Sequence, residues 1–139
     1  MAKTILYRFF GVGKIPEQLT AALKREGILL LDEGIRGSAT YRNFRAPGRY
    51  AGWKRQWYTA AIALTEVLLV ALRYAKPIIG YSLADERLRR LQFSLEGNNT
   101  LRVAVDPALF HDDWSGTIEY RFRTPRAQIF LDLLRERAV

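Results

Sequence analysis

The chain has 139 residues, which is enough for one domain and short for two. Hydrophobic residues make up 49% and charged residues 26%, a balance that is typical of globular proteins and argues against intrinsic disorder. The absence of cysteine and the presence of one histidine exclude disulfides, thiolate nucleophiles, cysteine-based zinc sites and histidine-rich metal centres. Because no apolar run is long enough to cross a bilayer and the N-terminus does not resemble a secretory signal, we expect a cytoplasmic protein.

The net charge of +8 is distributed unevenly along the chain. The first 76 residues hold the whole positive surplus, whereas the two signs balance in the remainder. The cations are densest between Gly34 and Arg55, a segment that contains no acidic residue. Such a cluster attracts polyanions, namely lipid headgroups, nucleic acid or an acidic protein partner. A solvated face that only aids solubility is the alternative interpretation.

Residues 1–26 are predicted to form a lead-in and a short helix. Pro16 suits a first helical turn, and Gly27 favours the left-handed cap that follows a helix ending near Glu26. The preceding Gly11–Lys14 stretch is interpreted as a flexible lead-in and not as a phosphate loop, because Ile15 stands where a phosphate loop requires serine or threonine.

From Ile28 onwards the hydrophobic period changes to two, which predicts strands. Gly34 and Gly37 interrupt the first strand, as at a bulge or a sharp bend, and Lys76-Pro77 is interpreted as a break. The predicted strands cover 28–44, 53–64, 67–73, 78–83, 91–95, 101–105 and 118–122. In the last three, apolar and polar residues alternate, as expected for antiparallel strands with one buried face.

The C-terminal segment is predicted to be an amphipathic helix. Thr124 is a suitable N-cap, Pro125 fits the first turn, and the helix continues to Arg137. Its apolar stripe includes Phe130 and Leu134. Seven strands and this helix predict a mainly β fold: a seven-stranded antiparallel barrel or sandwich capped by the C-terminal α-helix, with a short N-terminal helix.

Several stretches resemble those of small bacterial proteins with a pleckstrin-homology-like (PH-like) domain. They are GIRGS at 34–38, YRNFRAPGR at 41–49, IALT at 62–65, the Glu26-Gly27 pair before the first strand, and the lead-in from Gly11 to Pro16. The resemblance implies one domain, with residues 1–26 as lead-in and residues 27–139 as the PH-like unit. It also implies a non-enzymatic binding or assembly module, whose partner is another protein or a second copy of the chain in a homo-oligomer.

The resemblance places a candidate anion-binding cluster near the open end of the barrel, between the first two strands. Its members are Arg42, Arg45, Arg49, Lys54 and Arg55. Arginine forks hold phosphate with two hydrogen bonds, and lysine adds a point charge. In a regular strand Arg42 and Arg45 face opposite sides, so both reach one ligand only if the strand bends or bulges. The alternative function is therefore a peripheral membrane module that contacts anionic lipid weakly through this basic loop.

Aromatic residues are interleaved with these cations. Tyr50 and Trp53 are candidate contact residues, because aromatic rings stack on bases, lie at membrane interfaces or pack across strands. Trp53 and Trp57 are predicted to share one face with Arg55 between them. For Trp57 we favour packing in the core or at a subunit interface. Nucleic acid is the least favoured partner.

No pattern of residues predicts an enzyme, a cofactor or a metal site. His111-Asp112-Asp113 is interpreted as a solvated loop, because three adjacent residues seldom converge on one ion. The other acidic pairs lie at no defined spacing from a nucleophile or a general acid.

Overall fold

The computed structural model describes residues 17–74 and 76–137. The elements are α1 (Glu17–Glu26), β1 (Ile28–Ala46), β2 (Arg49–Thr65), β3 (Leu68–Arg73), β4 (Lys76–Ser82), α2 (Glu86–Arg89), β5 (Gln92–Glu96), β6 (Thr100–Val105), a 3₁₀ turn (Pro107–Leu109), β7 (Ser115–Arg123) and α3 (Ala127–Arg137). The seven strands form one antiparallel sheet in the order β4-β3-β2-β1-β7-β6-β5. The predicted mainly β class is confirmed: the fold is consistent with a sandwich or barrel-like architecture, and the sheet is not closed into a barrel.

Strands β1 and β2 form a hairpin that is much longer than any other pair in the sheet. Their register runs from Ile28 opposite Thr65 to Ala46 opposite Arg49. The predicted bulge is confirmed at Gly34, where φ is +69° and the register shifts. Gly37 does not interrupt the strand; a Cβ atom there would lie 2.6 Å from the Tyr58 ring, so the glycine makes room for that ring.

A second irregularity lies near the tip of β1. Asn43 has a positive φ of 47°, and the pairing with β7 shifts between Arg42 and Arg45. Gly116 of β7 lies directly against this point, where an added Cβ would clash with the Asn43 carbonyl. The bulge therefore changes which way the side chains point beyond Arg42.

Helix α3 covers the inner face of the sheet, as predicted. Phe130, Leu131 and Leu134 are buried there in the main hydrophobic core. The hydroxyl of Thr124 accepts a hydrogen bond from the Arg126 N–H at 3.1 Å, which fits the predicted capping role. The same hydroxyl donates to a carboxylate oxygen of Asp32 at 2.6 Å, which fixes the start of α3 against β1.

Helix α1 covers part of the outer face. Its Leu23 is buried in a second, smaller core with Ala61 and Ala63 of β2 and Val70 and Leu72 of β3. The predicted helix up to Glu26 is thereby confirmed within the described residues; the Gly11–Pro16 lead-in lies outside them. Consequently the base of the β1–β2 hairpin is covered on both faces.

The structure differs from the sequence-based prediction at two places. Lys76-Pro77 begins β4 and does not break the chain, because β4 is an end strand of the sheet and proline is tolerated on such edges. The short helix α2 was not predicted; the side chain of Asp85 caps it by accepting from the Arg87 N–H at 2.9 Å. At four residues α2 shows almost no hydrophobic period, so the sequence signal was weak.

Candidate functional site

The distal part of the β1–β2 hairpin extends beyond β3 and is termed the hairpin arm (residues 40–59). Strand β3 pairs with β2 only from Ala60 to Leu64, and the Tyr74 N–H donates to the Thr59 carbonyl. Within the described ranges no strand pairs with the outer edge of β2 from Arg49 to Tyr58. An unpaired edge of this length is a template for another strand.

The hydrogen bond at Thr59 fixes which backbone groups point towards the free edge. In a strand, successive residues direct their N–H and C=O groups to alternate sides. Because the Thr59 carbonyl points towards β3, the odd-numbered residues of the arm share that direction. The free edge therefore presents the backbone groups of Ala51, Trp53, Arg55 and Trp57.

A cavity of about 730 Å³ lies on the inner side of the arm, at the open end of the sheet. Three cations line it, Arg49, Lys54 and Arg73, and no carboxylate is among the lining residues. Its walls also carry the rings of Tyr41, Phe44, Tyr50, Trp114 and Tyr120. This arrangement suits a ligand that has both negative charge and apolar surface.

On the outer side of the arm, Trp53, Arg55 and Trp57 form a row. The Arg55 guanidinium lies 5.4 Å from the Trp53 ring centroid and 5.8 Å from that of Trp57, so their predicted shared face is confirmed. Both indoles are exposed, at 58% and 61%. Of the two alternatives for Trp57, core packing is wrong, because α1 covers the outer face only at the hairpin base; packing at a subunit interface stays a prediction.

The outer face also carries an ion-pair network centred on Glu119 of β7. Arg42, Arg102 and Arg121 all contact this buried carboxylate, and Arg121 and Arg102 also contact Glu96. Burial opposes ionisation of Glu119, but the hydrogen bonds from Arg102 and Arg42 outweigh it and hold its pKa below the ordinary value. The hydrogen bond from Arg121 likewise lowers the pKa of Glu96. Both carboxylates therefore neutralise arginines on this face.

The structure does not bring the five predicted cations to one site. Arg49 and Lys54 line the inner cavity, whereas Arg42 bonds to Glu119 on the outer face. Arg55 lies in the outer row, where its Nε donates to the Thr40 hydroxyl at 2.8 Å. Arg45 lies 4.9 Å from the ring of Tyr50 at the tip. The alternation of strand side chains separates neighbours such as Lys54 and Arg55.

The aromatic candidates are likewise divided. Tyr50 lines the inner cavity and is 63% exposed, whereas Trp53 stands on the outer side. Tyr50 and Trp53 therefore do not contact the same face of a ligand.

Sequence reasoning missed the cations that come from other strands. Arg73 joins the inner cavity from β3. On the outer face Arg121 and Arg123 of β7 line a cleft of about 330 Å³ together with Arg36 and Arg55 of the basic segment. Arg121 and Arg123 sit in a half of the chain with balanced charge, so no local excess pointed to them. Only the pairing of β1 with β7 brings them beside Arg36.

The loop at His111 is exposed, and His111 stacks on Trp114 with ring centroids 3.9 Å apart. Within residues 17–74 and 76–137, no cluster of acidic residues and histidine is arranged to hold a metal ion. In the same part of the chain, none of the helices has the length and apolar character needed to cross a membrane.

A comparison with known protein families finds no family model that matches this chain, and a comparison with curated proteins finds no match either.

Proposed function

We propose that this chain is a non-enzymatic binding module of PH-like architecture. Its partner is an extended acidic segment of another protein, which adds as a strand to the free edge of β2. The observation that carries the proposal is the position of that edge, which borders a cavity of about 730 Å³ lined by cations and aromatic rings.

Strand addition divides recognition between backbone and side chains. The outward N–H and C=O groups of Ala51, Trp53 and Arg55 supply hydrogen bonds that any extended segment can use. Alternate side chains of the added strand then enter the inner cavity, where Lys54 and Arg49 favour carboxylates and the rings favour apolar groups. The remaining side chains meet Trp53 and Trp57 on the outer side.

Charge favours an acidic partner over a second copy of the chain. Two copies that paired through this edge would bring Arg49, Lys54 and Arg55 of each copy together, and like charges across strands are destabilising. Light scattering tests this point. A monomer is expected at micromolar concentration, and a dimer that disappears on substitution of Ala51 by proline would assign the edge to self-association instead.

The direct test measures fluorescence anisotropy of a labelled ten-residue peptide that alternates glutamate with phenylalanine. We expect this peptide to bind, and a peptide that alternates lysine with phenylalanine to remain free. The double variant Arg49→Ser/Lys54→Ser should weaken binding at least tenfold. The matched control Arg89→Ser/Arg90→Ser removes the same charge from the exposed end of α2 and should bind as the parent protein does.

A backbone variant separates strand addition from simple charge attraction. Ala51→Pro removes one outward N–H group and leaves every cation in place, because proline is tolerated where the N–H faces away from the partner strand. Loss of peptide binding in Ala51→Pro, with unchanged thermal unfolding, supports strand addition. Equal binding by Ala51→Pro and the parent protein would contradict it.

A second candidate function is contact with an anionic lipid surface through the tip of the arm. The observation that favours it is the exposure of Tyr50, which lies beside Arg45 at the tip, and of Trp53, which lies beside Arg55. Each basic residue near an anionic surface contributes about 1 kcal/mol, so binding should be reversible and should weaken steeply with salt.

Co-sedimentation with neutral and anionic vesicles tests the lipid candidate. We expect preference for anionic vesicles at low salt, and a lower bound fraction for Arg45→Ser/Arg49→Ser/Lys54→Ser than for the parent protein. No preference for anionic vesicles at low salt would eliminate this candidate and leave the protein partner.

A further inference from the structure

The outer cleft is a second candidate site on the opposite face of the sheet from the inner cavity, and it shares Arg55 and Trp57 with the free edge. Five strands, β1, β2, β5, β6 and β7, and the turn between β5 and β6 contribute to it. Its lining residues include Arg36, Ser38, Arg55, Trp57, Arg121 and Arg123. A volume of about 330 Å³ places it at the lower end of the range for small-molecule sites.

The cleft has a surplus of positive charge that its own carboxylates do not neutralise. Arg121 is engaged by Glu96 and Glu119 at 2.9 and 3.4 Å. Arg36 and Arg123, by contrast, have no carboxylate within ion-pair distance among the described residues. Arg55 is bonded to a neutral hydroxyl and stacked between two indoles, so its charge also remains uncompensated. Three arginine charges are thus available to an anion.

Ser38 provides an independent indication of a ligand. Its side chain is fully buried, and its hydroxyl oxygen has no hydrogen-bond partner within the described part of the chain. Ser38 lines the cleft and lies opposite Arg121 of β7 and Trp57 of β2 in the sheet register. A buried hydroxyl is rarely left unpaired, because it has given up its hydrogen bonds to water. An oxyanion in the cleft can accept the missing hydrogen bond.

We propose that the outer cleft binds the phosphate monoester of a small soluble molecule that also carries a planar ring. The phosphate lies between Arg36, Arg123 and the Ser38 hydroxyl, where guanidinium forks and a hydroxyl donor match its oxygens. A dianion suits three uncompensated charges better than a single carboxylate does. The ring lies against Trp57, whose exposed indole forms one wall of the cleft.

Isothermal titration calorimetry with four probes tests the proposal. Adenosine 5′-monophosphate should bind, and ribose 5-phosphate, which lacks the ring, should bind about tenfold more weakly. Inorganic phosphate should compete with both, and adenosine alone should not bind. The affinity should persist at physiological salt better than vesicle binding does, because the Ser38 end of the cleft is shielded from solvent.

Three variants locate the ligand within the cleft. Arg36→Ala/Arg123→Ala should lower the affinity for every phosphate probe at least tenfold; these arginines form no ion pair within the described residues, so the fold should be unaffected. Ser38→Ala should lower it several-fold. Trp57→Ala should abolish only the difference between adenosine 5′-monophosphate and ribose 5-phosphate. The matched control Arg89→Ala/Arg90→Ala should bind like the parent protein, and thermal unfolding verifies that each variant is folded.

Three results would overturn the proposal. One is the absence of binding by any phosphate probe at millimolar concentration. A second is equal affinity in the parent protein and in Arg36→Ala/Arg123→Ala. Binding of a single-stranded oligonucleotide without binding of adenosine 5′-monophosphate would also overturn it, and would assign the cleft to a nucleic-acid chain. Because the variants leave Ala51, Arg49 and Lys54 unchanged, failure here is distinguishable from failure of strand addition.

Discussion

The two halves of the β1–β2 hairpin differ in what covers them. The hairpin base, Ile28–Ala39 with Ala60–Thr65, is packed against the main core on its inner face, and α1 covers its outer face around Ala61 and Ala63. Neither α1 nor α3 covers the hairpin arm, and one edge of the arm is unpaired. The same pair of strands is thus mainly a structural element where it is covered, and it offers a surface for ligands along the arm and at the outer cleft.

This difference shows that burial by the core and the helices, and not strand formation, separates structural residues from candidate binding residues here. Backbone pairing between β1 and β2 continues along the whole hairpin. In the base most side chains are apolar and face the core or α1, so substituting them should lower stability. Arg36 and Ser38, which line the outer cleft, are exceptions. In the arm Phe44 and Tyr58 are buried, but Tyr50, Trp53 and Trp57 are exposed. Removal of the exposed side chains should change binding more than stability.

The largest expected effect comes from a substitution in the core between α3 and the inner face of the sheet. Phe130 is fully buried under the inner face, and Phe130→Ala should lower the free energy of unfolding by about 3–5 kcal/mol. Urea denaturation measures this change. A loss below about 1 kcal/mol would mean that α3 does not seal the core.

A second prediction concerns the ion pairs that connect β1, β6 and β7 on the outer face of the sheet. Glu119→Gln removes the charge that Arg42, Arg102 and Arg121 share, and should cost about 1.5–3 kcal/mol at pH 7. Because the pKa of Glu119 is lowered in the folded state, its contribution is present above the unfolded pKa and is lost as the pH falls through the folded value.

Unfolding of parent and Glu119→Gln proteins at several pH values measures this contribution. The two stabilities should differ most near pH 7 and should converge in acid below the ordinary glutamate pKa of about 4.3. A constant difference across this range would show that Glu119 contributes through packing and not through its charge.

The boundary between base and arm supplies a third prediction. Gly37→Ala places a methyl group 2.6 Å from the Tyr58 ring and 2.9 Å from the Ala60 Cβ, so the ring must move. Such overpacking typically costs about 1–3 kcal/mol. The melting temperature measures it, and Gly80→Ala is a matched control because nothing lies within 4 Å of the added Cβ there. Equal melting temperatures of the two variants would contradict the close packing at Gly37.

The smallest effect is expected at the exposed indoles of the arm. Trp53→Ala and Trp57→Ala each remove a ring that contacts Arg55 from one side, so each should cost less than about 1 kcal/mol. Both variants should nevertheless alter binding to the peptide or vesicles described above. If either variant lost as much stability as Phe130→Ala, the arm would be part of the structural core, and the contrast with the base would fail.

Much of the fold could be predicted from local patterns. Alternating residues such as Leu101 and Val103 predicted strands, and the stripe that includes Phe130 predicted α3, because burial of one face imposes the period on the sequence. The bulge at Gly34 was predicted for a similar reason, since glycine tolerates a positive φ. The exceptions were α2, which is too short to show a period, and Lys76-Pro77, whose edge position depends on the sheet order.

The candidate sites depended on tertiary structure. The sequence alone determined that the first half is basic and that Arg55 lies between Trp53 and Trp57 on one face. Whether neighbouring cations act together was decided by strand alternation and by the bulge at Asn43, which divide the cluster between two faces. The outer cleft brings Arg36 and Arg123 together across the β1–β7 strand pair. A hydrophobic period reflects only local structure, so it cannot predict a contact between residues so distant in sequence.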